Sequence, residues 1–220
     1  MEKNESLNSL NEEHINIKEQ RFWNQPFIDG GNEWSVGGST ELLWENEISR
    51  HAKKWFSGKG LEIAPGEGRM TQYLLTYCQD LHLLDLNKHP LSVCMNKFGN
   101  RCSGYFVNDG KSIPQYFTNN LDFIFSWDSF VHIHWDIFKI YLKEISRSLR
   151  SGGVFFIHHA HYFGGSEFSF QNFSGRANLD LEDLNQEINN LDMEILEQYW
   201  VKISCKDPNF VDCVTLARKR

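Results

Sequence analysis

From residue 59 onward, short apolar runs alternate with segments whose apolar residues recur at helical spacing. The runs fall at Lys59–Ile63, Asp80–Asp85, Gly104–Val107, 121–126 and 154–157. Each is short and almost continuously apolar, which predicts strands buried on both faces. Before the first run, Ser39 or Thr40 can cap a helix with Glu41 in its first turn, and Trp44, Ile48, Ala52 and Trp55 share one face of it. Met70, Leu74 and Cys78 continue a second helix that begins near Arg69. A third follows Pro90 through Val93 and Met95 to Phe98, and Phe138, Leu142, Ile145 and Leu149 mark a fourth that stops at Ser151-Gly152-Gly153. Strand and helix thus alternate five times, the pattern of a doubly wound, mainly parallel α/β sheet. The tail differs. A helix with Leu181, Leu184, Ile188 and Leu191 on one face precedes two strand-like stretches, 194–203 and 210–217, separated by Lys206-Asp-Pro-Asn209. So short a connection predicts an antiparallel hairpin at the sheet edge, bringing the sheet to seven strands.

The chain divides at about residue 40. Residues 1–20 are polar enough for a frayed arm, while 21–40 combine Phe22, Trp23, Phe27 and Trp34 with Pro26 and four glycines. That second piece reads either as a strap over the core or as a lid over a site. Residues 41–220 form one domain, long enough to bury a full core. The net charge of −7 disfavours nucleic acid and anionic membrane as principal partners and favours a small or neutral ligand. Five cysteines without CxxC spacing imply reduced thiols rather than a disulfide framework or zinc site. The N-terminal residues hold no apolar run fit for a signal peptide or membrane span, so a cytoplasmic location is expected.

Ligands of such sheets bind outside the carboxyl ends of the strands, and here each end is polar. The first runs into Glu62-Ile-Ala-Pro-Gly66-Glu-Gly68-Arg69, a glycine turn that leaves backbone N–H groups uncovered at a helix start. The others end in Asp85, Asn108-Asp109-Gly110, Ser126-Trp127-Asp128 and His158-His159-Ala160-His161. The long loop 162–178 adds a further candidate for function.

These motifs, in this order and with a closing hairpin, resemble the class I S-adenosylmethionine-dependent methyltransferases, whose fold is Rossmann-like. The resemblance runs from about Leu42 to Arg218 and includes Leu149-Arg-Ser-Gly152-Gly153, which is similar to the family's turn before the fifth strand. Ala64 departs from it, standing where the family often has a glycine. S-adenosylmethionine is the cofactor implied. The resemblance assigns Asp85 to the ribose hydroxyls, Gly66, Gly68, Ala64 and Glu62 to the methionine end, Asn108, Asp109 and Gly110 to the adenine edge, and Ser126 to the neighbourhood of the methionine portion. A nicotinamide-binding domain is the rival, but its fingerprint requires a small residue where Thr71 stands.

Residues 123–133, Phe156-Ile-His-His-Ala-His161, Asn172-Phe-Ser-Gly-Arg176 and Asp212-Cys213 look like a group of bacterial sugar and surface-glycan O-methyltransferases. The implied partner is a small-molecule or saccharide acceptor, with no membrane insertion; a homodimer is left open. An alcohol must lose its proton during transfer, so a base is expected near the fourth and fifth strand ends. Adjacent strand residues face opposite ways, so His158 and His159 cannot both enter one pocket. The candidates for catalysis are His159 and His132, with Asp128 orienting one of them or binding substrate, while Trp34, Trp127, His158 and Arg176 line the acceptor site. No dedicated metal-ligand spacing occurs. Two other readings stay open: an N-methyltransferase boxing an amine with Trp34, Trp127 and Phe130, and a protein that binds S-adenosylmethionine without catalysis.

Overall fold

The structure, a computed structural model, describes residues 39–163, 176–201 and 210–220. The arm and aromatic segment up to residue 38 with Trp34, residues 164–175, Cys205 and the Lys206-Asp-Pro-Asn209 connection lie outside the described residues. Seven strands form one sheet: β1 Lys59–Ile63, β2 Asp80–Asp85, β3 Gly104–Val107, β4 Leu121–Phe130, β5 Leu149–Tyr162, β6 Met193–Val201 and β7 Phe210–Lys219. Their order is β3-β2-β1-β4-β5-β7-β6. The first five strands pair in parallel, and β7 pairs antiparallel with both β5 and β6. Strand order reverses between β1 and β4, so the crevice for a ligand opens above their carboxyl ends.

Helices cover both faces. The first predicted helix is α1 Thr40–Leu43, a π-helical stretch Trp44–Ile48, and α2 Ser49–Trp55. Ser39 caps it, its Oγ accepting from Leu42 N at 3.2 Å. The π-helical stretch was not foreshadowed by the periodicity, yet Trp44, Ile48 and Ala52 are buried as that periodicity requires. Then come α3 Thr71–Leu74, α4 Lys88–Phe98, α5 Trp135–Ser148 and α6 Leu181–Asn190. Regular α3 is shorter than its apolar stripe, though Tyr77 N and Cys78 N still donate to Leu74 O at 2.9 Å.

The pleat sorts side chains into two cores. Phe123, Phe125, Trp127, Val154 and Phe156 pack with Trp44, Ile48, Phe56 and Leu91 on one face. Ile124, Phe155 and Ile157 pack with Phe138, Leu142, Ile145 and Leu184 on the other. Two strands outrun their apolar signal. β4 continues past a register shift between Ser126 and Phe130, and β5 continues through the histidines because β7 pairs with it from Val154↔Arg218 to Tyr162↔Phe210. His158, His159 and His161 are therefore strand residues with fixed faces. No helix among the described residues is long and apolar enough to cross a membrane.

Candidate functional site

The turn after β1 is built from left-handed backbone. Ala64, Gly66 and Gly68 have φ of 55°, 56° and 85°. Ala64 N donates to Leu84 O at 2.7 Å, tying the turn to β2. Glu62 lies beneath it, buried, with its Oε2 accepting from Thr71 Oγ1 at 2.6 Å. Burial pushes the Glu62 carboxyl up to about 8, against the pull of the Thr71 hydrogen bond and the Arg69 charge. Gly68 serves packing as well as the turn: a Cβ there would come within 2.4 Å of the Phe98 ring and 3.2 Å of Cys94 Sγ, so α4 needs this residue bare.

Asp85 ends β2 and leans back toward the glycine turn. Its Oδ1 accepts from Asn87 N at 2.8 Å. Burial raises the carboxyl to about 6, while the N–H groups of Asn87, Gly66 and Leu86 work the other way. Beyond β3, Asn108 accepts from Gly110 N at 3.1 Å and donates to Ser112 O and the Tyr141 hydroxyl at 2.8 and 2.9 Å. Asp109 turns Oδ1 toward Lys111 N, Ser112 N and Ser112 Oγ, at 3.1, 2.8 and 2.7 Å. The Asn108-Asp109-Gly110 turn is thus rigid. A buried carboxylate, a glycine turn and a fixed polar turn at three neighbouring strand ends form a donor and acceptor set that suits a nucleoside carrying a polar tail.

A second group of side chains adjoins the glycine turn on the β4 side. Asp128, at φ 60°, forms an ion pair with Arg69 from that turn. Its Oδ1 also lies 3.1 Å from His158 Nδ1. Burial acts to raise Asp128, but His158, when its Nδ1 carries a proton, and the Arg69 charge outweigh it and hold the carboxyl well below the usual carboxylate range. His158 is fully buried, stacked on Trp127 with ring centroids 4.3 Å apart. On its far side stands Asp212, also fully buried, which takes Arg176 Nε at 3.0 Å and Nη2 at 2.7 Å.

The expected site residues fall into three sets. Glu62, Ala64, Gly66, Gly68, Asp85, Asn108, Asp109 and Gly110 surround the glycine turn and the adjoining strand ends. Asp128, Trp127, His158 and Arg176 belong to the second group. The third set is Ser126, His132 and His159. Ser126 is fully buried beside the start of the glycine turn, and its hydroxyl donates to Ile63 O at 2.8 Å, tying β4 to β1. His132 lies in the turn after β4, its N–H donating to Ser129 O at 3.0 Å.

His159 requires a correction. It faces the α5 side, away from His158, with its ring edge-on to Phe138. Nδ1 lies 3.0 Å from Ala160 O and Nε2 lies 2.8 Å from Thr215 Oγ1. Burial pushes it down to about 4, against the Ala160 hydrogen bond. Both nitrogens are satisfied inside the core, which takes His159 out of the role of base. Two residues without an expected role, Arg69 and Asp212, hold the second group together. Asp212 left a signal in the sequence, an acid on the same strand face as Val214 and Leu216, where burial demands a partner.

A family model described as a methyltransferase domain matches residues 61–157, from β1 into β5. No curated protein sequence matches the chain. Among solved structures, it is similar to phosphoethanolamine N-methyltransferase 2 of Haemonchus contortus in complex with phosphomonomethylethanolamine and S-adenosylhomocysteine, with a TM-score of 0.66, 18% identity and 84% of this chain covered. The match spans only 53% of that enzyme. It is also similar to geranyl diphosphate C-methyltransferase from Streptomyces coelicolor, with a TM-score of 0.69, 10% identity and coverage of 94% and 98% of the two chains. An S-adenosylmethionine-dependent methyltransferase from Clostridium acetobutylicum gives 0.61, 18%, 87% and 92%. At such identities the likeness speaks for the fold, and the fold is that of the class I methyltransferases.

Proposed function

We propose that the chain is an S-adenosylmethionine-dependent methyltransferase acting on a hydroxyl group of a small-molecule or saccharide acceptor. The observation that carries this reading is Asp128, a carboxylate at the end of β4 held between Arg69 of the glycine turn and the imidazole of His158. Asp85 is suited to accept from the ribose hydroxyls, the Asn108-Asp109-Gly110 turn to meet the adenine edge, and the backbone around Gly66 to meet the amino-acid end. Bound there, the cofactor supplies an electrophilic methyl group and is left as a neutral thioether. The chain's part is to align the acceptor and remove its proton. Asp128, with its side chain 21% exposed, is the member of the group that can touch an acceptor, whereas His158 at 0% stands behind it. A hydroxyl proton passes to the Asp128 carboxylate and on to His158 Nδ1, 3.1 Å from Oδ1. An amine acceptor would need no such pair.

Calorimetric titration tests the cofactor. S-adenosylmethionine and S-adenosylhomocysteine are expected to bind and NADH is not, and Asp85→Ala should weaken binding at least about tenfold, the equivalent of ~1.4 kcal/mol. Binding of NADH alone would overturn the reading. Radiolabelled methyl transfer into hydroxyl-bearing saccharide fractions tests the acceptor: Asp128→Asn and His158→Gln should each slow turnover about 10²-fold or more while cofactor affinity stays near wild type. Transfer indifferent to both changes would point to an amine acceptor.

A further inference from the structure

His158 stands between two carboxylates. In the β5–β7 ladder Ala160 is opposite Asp212 and His158 opposite Val214, so Asp212 is the diagonal neighbour of His158 on one sheet face. The small side chain of Ala160 lets Asp212 lean toward the ring, and its Oδ2 lies 3.7 Å from Nε2. At the other end of the ring, Asp128 offers Nδ1 two groups at once: its backbone N–H at 3.2 Å and its carboxylate at 3.1 Å. A bare Nδ1 accepts the first, and a protonated Nδ1 donates to the second, but not both together. The choice falls to Nε2. That atom is buried and has no hydrogen-bond partner among the described residues, and the Asp212 carboxylate stands 3.7 Å from it. A separation of 3.7 Å is longer than a hydrogen bond, so at rest Asp212 acts on Nε2 through the charge of its buried carboxylate, and the contact tightens as charge develops during reaction.

Resting on the reading of Asp128 as the group that meets the acceptor, we propose that Asp212, clamped by Arg176, is a positioning residue that keeps the His158 proton on Nε2. Nδ1 is then bare and faces Asp128, ready to take the acceptor's proton. The imidazolium so formed lies between two carboxylates, each already paired with a guanidinium: Arg69 with Asp128 and Arg176 with Asp212. The group is neutral at rest and gains one positive charge on reaction, and His159 behind the sheet is held uncharged by burial. The forked Arg176 contact fixes the plane of the Asp212 carboxylate, and Trp127 fixes the plane of the ring. A clamp serving only to fasten residue 176 to β7 would leave the His158 tautomer indifferent to Asp212.

Nitrogen-15 spectra of the histidine-labelled full chain, with the His158 signals assigned by their loss in His158→Gln, test this without any acceptor. The expected result is a protonated Nε2 and a bare Nδ1. In Asp212→Asn the amide oxygen must face Arg176, which only donates, so the NH2 turns to Nε2 and the proton should move to Nδ1. Turnover should then fall about 10²-fold or more with cofactor affinity within about twofold of wild type, and the acid limb of the kcat/KM profile should move to lower pH. Asp212→Glu, which restores the carboxylate, should recover the Nε2 proton. A wild-type spectrum with the proton on Nδ1 overturns the proposal even if Asp212→Asn does not fold, and so does a tautomer unchanged in that variant. A chain that methylates nothing while showing the expected tautomers would instead sink the reading of its function.

Discussion

Ala64 shows how closely single residues of the glycine turn are constrained. It holds φ 55° while its N–H donates to Leu84 O at 2.7 Å, a left-handed conformation that costs a residue with a Cβ about 1–2 kcal/mol. Glycine would remove that cost and add about 0.5–1 kcal/mol of unfolded-state entropy. Ala64→Gly is therefore expected to stabilise the protein by about 0.5–1 kcal/mol in urea denaturation, and a loss of stability would mean that the alanine methyl makes contacts worth more than the strain. At this scale the placing of the glycine turn and its neighbouring acids in the candidate site was legible in the sequence, because an acid or a glycine directly after a short apolar run can be placed at a strand end. The placing of the histidines was less so. Which of two adjacent histidines faces Asp128 depends on where β5 stops being regular, and that is decided by β7, more than fifty positions away in the chain.

Pairing and packing between elements decide what the periodicity leaves open. The order of strands and helices follows from apolar spacing, whereas strand lengths do not: β4 and β5 each extend past their apolar runs because a partner strand continues beside them. A π-helical stretch such as Trp44–Ile48 keeps the same residues buried and so leaves no trace in the pattern. Gly68 reports on the contact of the glycine turn with α4. An added Cβ would meet the Phe98 ring at 2.4 Å and would have to be held at φ 85°. Gly68→Ala should cost roughly 2–4 kcal/mol, from overpacking and left-handed strain together. Combining it with Phe98→Leu should return the steric part only, so the double variant is expected to be more stable than the sum of the single changes predicts. Strict additivity in urea melts would show that the ring is not what the glycine makes room for.

Across the whole molecule, buried acids and buried histidines set opposite pH dependences. His51, His82 and His159 are all pushed down by burial, so each binds fewer protons folded than unfolded and favours the native state as pH rises toward 6.5. Glu62, raised to about 8 from 4.5, does the reverse. It binds more protons in the folded state, so its contribution is fully present below about pH 4.5 and is lost as pH rises to about 8. Asp85, raised to about 6, acts in the same direction over a lower range. Asp128, held low, contributes stability above its unfolded value, which is lost only as pH falls toward its folded one. These opposing slopes overlap below pH 6.5, so the raw stability profile cannot isolate Glu62, but a difference can. Glu62→Gln keeps an acceptor for Thr71 and removes the titration, so the stability of wild type minus variant should fall between pH 5 and 8, at no more than ~1.4 kcal/mol per pH unit, and level off above that. A difference that rises with pH would mean that Glu62 is charged in the folded protein, with Arg69 and the turn N–H groups outweighing its burial. The acid beneath the glycine turn would then carry its charge before any ligand arrives.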